Sequence, residues 1–244
     1  MKKTFTILTT ALIILISFTT KAQDTKEYVK SYLGLLGGVS IPVSNFGQSN
    51  YSNNSAGFAK KGVVFGLDGA YYFYKNLAFA ATFSYQDQGE LSQNDAQNLS
   101  NGYNTDFKTS STLTTTVNRY QNMNLMGGPQ YSFVYRKFTF DVRASAGIIK
   151  SFSTPSVEAE FTNADNTFVT INQNSSKATA FAYGGGAGVR FSLGDNWDLN
   201  LRGSYISSSG LSISNTNNTG SIGRFQTKQP ITEIQTTLGI SLHL

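Results

Sequence analysis

Apolar and polar side chains alternate with a period of two through most of the chain beyond residue 31. Helical 3.6-residue patterns are scarce, so the pattern predicts strands with two unlike faces. Leu33, Leu35, Val39 and Ile41 share one face, opposite Gly34, Gly38 and Ser40. Val63, Phe65, Leu67, Tyr71 and Phe73 oppose Gly66, Asp68, Ala70 and Tyr72, and the run from Leu77 to Gln86 repeats the scheme. A fourth run, Met123 to Phe133, contains Pro129, whose missing N–H predicts a bulge near Gly127-Gly128-Pro129. Further runs start at Phe138, Phe181 and Trp197, and the last sets Ile234, Leu238, Ile240, Leu242 and Leu244 against Glu233, Gln235, Thr237, Gly239, Ser241 and His243. The expectation is eight strands of about 10 to 15 residues.

The connections alternate in length. Tyr74-Lys75-Asn76, Val134 to Lys137 and Gly194-Asp195-Asn196 are short enough for hairpins. The others, roughly 42–61, 87–117, 152–177 and 208–229, are long and rich in Asn, Ser, Thr and Gln, and read as solvated surface with Tyr51, Tyr103 and Phe168 as scattered apolar contacts. Long loops therefore gather at one end of the strands and short turns at the other.

Three features indicate that the apolar face points outward, rather than inward as in a soluble ligand-binding barrel. The in-strand charges Asp68, Asp141, Arg143, Arg190, Asp198, Arg202 and Glu233 all fall on the polar face. That face is otherwise small and poor in Lys and Glu, which suits a narrow lumen better than a water-facing exterior. Aromatic residues gather at both ends of the strands, including Tyr71, Phe73, Tyr131, Phe138 and Trp197 near the short turns and Phe83, Tyr85, Phe181, Tyr183 and Tyr205 near the long loops. Two aromatic belts around an aliphatic band match a bilayer with two interfaces. A sheet in hydrocarbon tolerates no unpaired edge, so the predicted fold is all-β, an eight-stranded antiparallel up-and-down transmembrane β-barrel.

Lys2 and Lys3, the apolar stretch Phe5 to Phe18, and Thr19 to Gln23 read as an export signal cleaved after Ala22. The expected organisation is a signal peptide over 1–22, a short periplasmic tail over 23–30, and a barrel domain over 31–244. Cleavage removes Lys2, Lys3 and Lys21, leaving 16 basic against 14 acidic residues, so the formal charge falls from +5 to +2. Nucleic-acid binding loses its support with that excess.

Composition also narrows the chemistry. The chain has no Cys and one His, which excludes thiol nucleophiles and Cys-based metal sites and leaves little for His-based catalysis. Gly184 to Gly188 lacks the full dinucleotide fingerprint and runs into a strand instead of a helix, so its glycines read as space for neighbouring side chains. Asp195 and Asp198 bracket a turn without further oxygen ligands for calcium. No cofactor and no metal are expected.

Export signal, eight amphipathic strands, alternating connections and a final strand at the C-terminus resemble the small bacterial outer-membrane barrels of the OmpA-barrel, OmpX and OmpW kind. The segment Leu238, Ile240, Leu242 and Leu244 is similar to the terminal signal that the barrel-assembly machinery reads in such proteins, although that family usually ends in Phe or Trp where this chain has Leu244. The resemblance implies a bacterial outer-membrane location, extracellular long loops, periplasmic termini, and the assembly machinery and outer-membrane lipid as partners. Some barrels of this size modify lipid A with a His beside a Ser, but His243 lies at the periplasmic end, so an enzyme is not expected. Asp68, Asp141, Arg143, Arg190, Asp198 and Arg202 lie close to the short turns and are expected to pair inside the lumen, as a structural plug or as the gate of a narrow path. The expected function is that of a monomeric scaffold or surface-interaction protein engaging an unidentified surface or membrane partner through its loops. The alternative is a low-conductance, porin-like channel.

Overall fold

The computed structural model describes residues 29–109, 112–162, 165–216 and 227–244. The expected signal peptide and most of the expected tail lie outside the described residues. Eight strands form a closed antiparallel barrel. They are β1 (Tyr32–Pro42), β2 (Gly62–Tyr74), β3 (Leu77–Gln88), β4 (Gln121–Tyr135), β5 (Phe138–Ser153), β6 (Thr179–Ser192), β7 (Trp197–Ser208) and β8 (Thr232–His243). Each pairs with its neighbours in sequence, and β1 closes on β8 in unbroken register from Tyr32 with His243 to Pro42 with Glu233.

The hairpins form where the sequence is shortest between runs. Lys75 and Arg136 open two-residue turns with left-handed backbone, φ 44° and 57°. Each cation lies over the ring of the preceding tyrosine, Lys75 at 5.1 Å from Tyr74 and Arg136 at 5.4 Å from Tyr135. A cation stacked on an amphipathic ring suits the membrane–water boundary. Outward-facing Leu35, Phe65, Phe79, Leu125, Val142, Leu201 and Leu238 are exposed, and the inward neighbours Ala80, Asn124, Gln130 and Ser241 are buried. This inversion of a soluble protein's pattern is what contact with lipid requires.

The expected bulge at Pro129 is absent. Gly127 pairs with Ala146 and Gln130 with Arg143, the same register on either side, while pairing with β5 lapses at Gly128 and Pro129. A missing N–H removes ladder bonds without requiring an inserted residue. The register shifts instead near Phe73 and near Phe152, at strand ends.

The long connections also differ from a solvated surface. Helix α1 (Gln93–Phe107) starts at a capping box in which Ser92 and Asp95 bond reciprocally. Segments Leu113–Val117, Ser156–Thr162, Phe168–Gln173 and Asn215–Thr216 form a small antiparallel sheet contributed by three different loops. Phe58, Leu99, Tyr103, Val157 and Ala159 form a core between this sheet, α1 and the first long loop. Phe107 stacks on Phe161 with ring centroids 4.4 Å apart. The loops thus build a folded cap, because alternate apolar residues in them find partners in one another.

Candidate functional site

The lumen contains the predicted charged residues, arranged as one network near the short-turn end. Asp68 accepts from Arg143 Nη1 at 2.7 Å and lies 2.5 Å from Arg202 Nη1. Thr82 and Tyr32 also donate to Asp68, at 2.6 and 3.0 Å. Asp141 accepts from Arg190 Nε at 2.9 Å and from Ser132 Oγ at 2.5 Å. Arg190 also reaches Asp198 at 3.2 Å, and Arg202 approaches Asp141 at 4.0 Å. All six predicted residues therefore meet, with three guanidinium groups set against three carboxylates.

Sequence reasoning missed the remaining members of the network. Tyr32 and Tyr72 present hydroxyls to Arg202 and Arg190, both at 2.9 Å, and the Arg190 guanidinium lies 4.2 Å over the Tyr32 ring. Gln130 accepts from Arg143 Nη2 at 2.7 Å and donates to Tyr72. His243 Nε2 lies 2.8 Å from Asp198, and its Nδ1 lies 3.0 Å from the Asp195 carbonyl. Period-two parity already placed Tyr72, Thr82, Gln130 and Ser132 on the lumen face, and that was the available signal. With these residues every one of the eight strands contributes to the network. Buried charges are tolerable only when paired and hydrogen-bonded, and here each is.

Gly188 of β6 lies beside Arg202 of the adjacent strand. A Cβ there would lie 3.4 Å from Arg202 Cβ and 3.0 Å from the Leu201 carbonyl. The glycine run lies inside β6, close against the backbones of the neighbouring strands, and opens no helix.

Above the network a water-sized void of about 30 Å3 lies among Thr82, Arg143, Arg202, Met126, Ile206 and Gln235. Beyond it the lumen departs from the expected run of small polar residues. Phe46, Tyr120, Met126, Ile149, Ala182, Ile206 and Ile231 pack into an apolar layer. Beside that layer is a second polar cluster, around Glu233. This fully buried carboxylate accepts from Ser40 at 2.8 Å, from Gln86 at 2.9 Å across the lumen, and from Gln235 at 2.7 Å. Glu233 has amides and a hydroxyl as its partners, whereas the lower carboxylates have arginines.

Leu238, Ile240 and Leu242 face outward on β8, and Leu244 follows it, exposed. Among the described residues no group of three or more His, Asp or Glu converges as metal ligands would. Asp198 is engaged by Arg190 and His243.

A closed barrel with an apolar exterior, aromatic belts and a charge-paired interior defines a transmembrane β-barrel. Residues 9–227 match the family described as outer membrane protein beta-barrel domain, and the chain belongs to that family of the bacterial outer membrane. No curated protein gives a significant match. The fold is similar to the Neisserial surface protein A (12% identity, 88% of this chain and 97% of that one, TM-score 0.46). It is also similar to the attachment invasion locus protein Ail of Yersinia pestis, solved with the heparin analogue sucrose octasulfate (12% identity, 88% and 100% covered, TM-score 0.38). A third similar structure is the N-terminal barrel of Pseudomonas aeruginosa OprF (13% identity, 89% and 100% covered, TM-score 0.34).

Proposed function

We propose that the protein is a non-catalytic outer-membrane scaffold, a sealed monomeric barrel whose long-loop end faces outward and presents the folded cap to an external or membrane partner. The short turns and both chain ends then face the periplasm. Outer-membrane lipid surrounds the barrel, and the assembly machinery reads Leu238, Ile240, Leu242 and Leu244 during insertion. The observation that carries this reading is the filled lumen, in which an ion-paired layer and an apolar layer of described residues are stacked on either side of a void of about 30 Å3. A solute path needs a continuous wetted bore, and two stacked plugs of different chemistry oppose one. The non-catalytic part is supported by His243, whose two ring nitrogens face a carboxylate and a backbone carbonyl, with no hydroxyl among its hydrogen-bond partners in the described residues.

Planar-bilayer recording with the purified chain tests the scaffold reading. The expected result is no reproducible opening, both for the native protein and for Arg143→Ala and Arg202→Ala. Discrete, repeatable openings would overturn the sealed scaffold in favour of a narrow channel. Display through the cap predicts a partner that co-purifies in mild detergent and is lost once surface protease has trimmed the loops. Equal recovery with trimmed barrels would overturn it.

A further inference from the structure

A cavity of about 700 Å3 opens between the first long loop and the outer face of α1. Its size falls within the ~300–1,000 Å3 typical of small-molecule sites. Tyr51, Asn54, Asn98, Asn101, Thr105 and Asp106 line it. We infer that this cavity binds a neutral hexose unit of a glycan. The inference rests on the reading of the cap as the interacting surface.

The aromatic wall is fixed before any ligand arrives. The Tyr51 ring lies against Gly102, where any Cβ would collide with it. It also meets Tyr103 edge-on at 5.1 Å, and its hydroxyl donates to Asp106 at 2.6 Å. Glycine inside a helix costs about 1 kcal/mol relative to alanine, so the seating of this ring explains an otherwise unfavourable residue in α1. A plate held on three sides loses little freedom on binding.

The remaining walls suit hydroxyl groups. Asn54 and Asn98 are exposed, with no intramolecular partner for their amides among the described residues. The Asn101 carbonyl accepts from Gln97, which leaves its NH2 as a donor. An amide offers a donor and an acceptor side by side, which matches the paired hydroxyls of a pyranose, whose C–H face can cover the ring. Other ligand classes fit less well. Among the described residues the lining contains no Lys or Arg, and its one carboxylate repels anions. Nearby Lys60 is held by Asp95 at 2.7 Å. One carboxylate already bonded to Tyr51 does not make a cation site. A wall of amides and hydroxyls with a single aromatic ring has too little apolar area for an acyl chain or an apolar peptide.

The test uses the full chain in a zwitterionic, sugar-free detergent, applied to an array of neutral, sialylated and sulfated oligosaccharides. Binding is expected for neutral hexose-terminated members, insensitive to salt up to roughly 0.5 M. Tyr51→Ala should abolish it, and Asn98→Ala, an exposed helix position whose change leaves the cap folded, should weaken it about tenfold. Binding confined to sulfated or sialylated members, or neutral binding unchanged in both variants, would overturn the inference. A silent array with a cap-dependent partner still co-purifying would overturn the glycan site and leave the display function standing. Loss of both would overturn both.

Discussion

Arg202 of β7 reaches across the lumen to Asp68 of β2, with Nη1 2.5 Å from Oδ1, and Arg143 of β5 reaches the same oxygen at 2.7 Å. One carboxylate thus neutralises arginines from two other walls of the barrel. Its loss leaves two buried cations short of an anion, a more severe defect than the loss of either arginine.

Asp68→Ala should therefore destabilise the barrel by about 3–5 kcal/mol, the usual cost of breaking a buried ion pair from one side. Arg143→Ala should cost less, because Asp68 keeps Arg202, Tyr32 and Thr82. Urea unfolding in lipid vesicles, followed by the electrophoretic shift between folded and unfolded barrel, gives the ranking. An Arg143→Ala effect equal to or larger than that of Asp68→Ala would contradict it.

Glu233→Ala should leave the buried donors of Ser40 and Gln86 without an acceptor, while Gln235 keeps Gln86 Oε1 at 3.1 Å. An orphaned buried donor costs about 1–3 kcal/mol, so the variant should lose about 2 kcal/mol or more in the same urea assay. A neutral outcome would mean that water replaces the carboxylate at no cost.

The cap should lose stability separately from the barrel. Phe107→Ala removes the stacking on Phe161 and should weaken the cap by about 2 kcal/mol. Hydrogen exchange of α1 should quicken while the barrel's electrophoretic shift stays unchanged. Loss of the shift as well would show that cap and barrel unfold together.

The Asp95 carboxyl anchors α1, and its environment gives the cap a pH limit. Burial pushes its pKa up, but hydrogen bonds from Lys60 and Ser92 outweigh burial and hold it below the ordinary value. A folded-state value below the unfolded one means that this stabilisation is complete above the ordinary carboxylate range and is lost as pH falls through the lowered value. Exchange protection of α1 should be flat from about pH 7 to pH 5 and decline below about pH 4. Asp95→Asn should lower protection at neutral pH and remove the acid limb. A native profile that already declines above pH 5 would refute the assignment.

The barrel was largely legible because lipid on one side and side chains on the other enforce strict alternation, with aromatic belts marking the ends of each run. Charge was legible for the same reason, since an Asp or Arg inside a strand has only the lumen to occupy. Tyr32 and Tyr72 were harder to assign to the network, because an aromatic ring at a strand end also suits the interface. Helix α1 was obscured by its many Asn and Gln residues and by Gly102. Its signals were nevertheless present, in the Ser92 and Asp95 cap and in Leu99, Tyr103 and Phe107 spaced four apart. Pro129 removes a ladder donor without inserting a residue, so a proline within a strand does not by itself mark a bulge. The apolar layer was missed because Ile149 and Ile206 occupy lumen-facing positions at strand ends, where only the cap's own contributions, Phe46, Leu211 and Ile231, make an apolar choice sensible.

The meeting of β1 with β8 bears on how insertion finishes. An open sheet of eight strands leaves Arg202 and Asp68 on distant walls, and hydrocarbon penalises an unpaired charge. Arg190 meets Asp141 and Asp198 between strands that are already neighbours, but Arg202 meets Asp68 across the β1–β8 junction, where Tyr32 and His243 enter the same layer from opposite edges. Joining the outermost strands therefore gives Arg202 its carboxylate, and the ionic layer favours the finished ring over an open sheet.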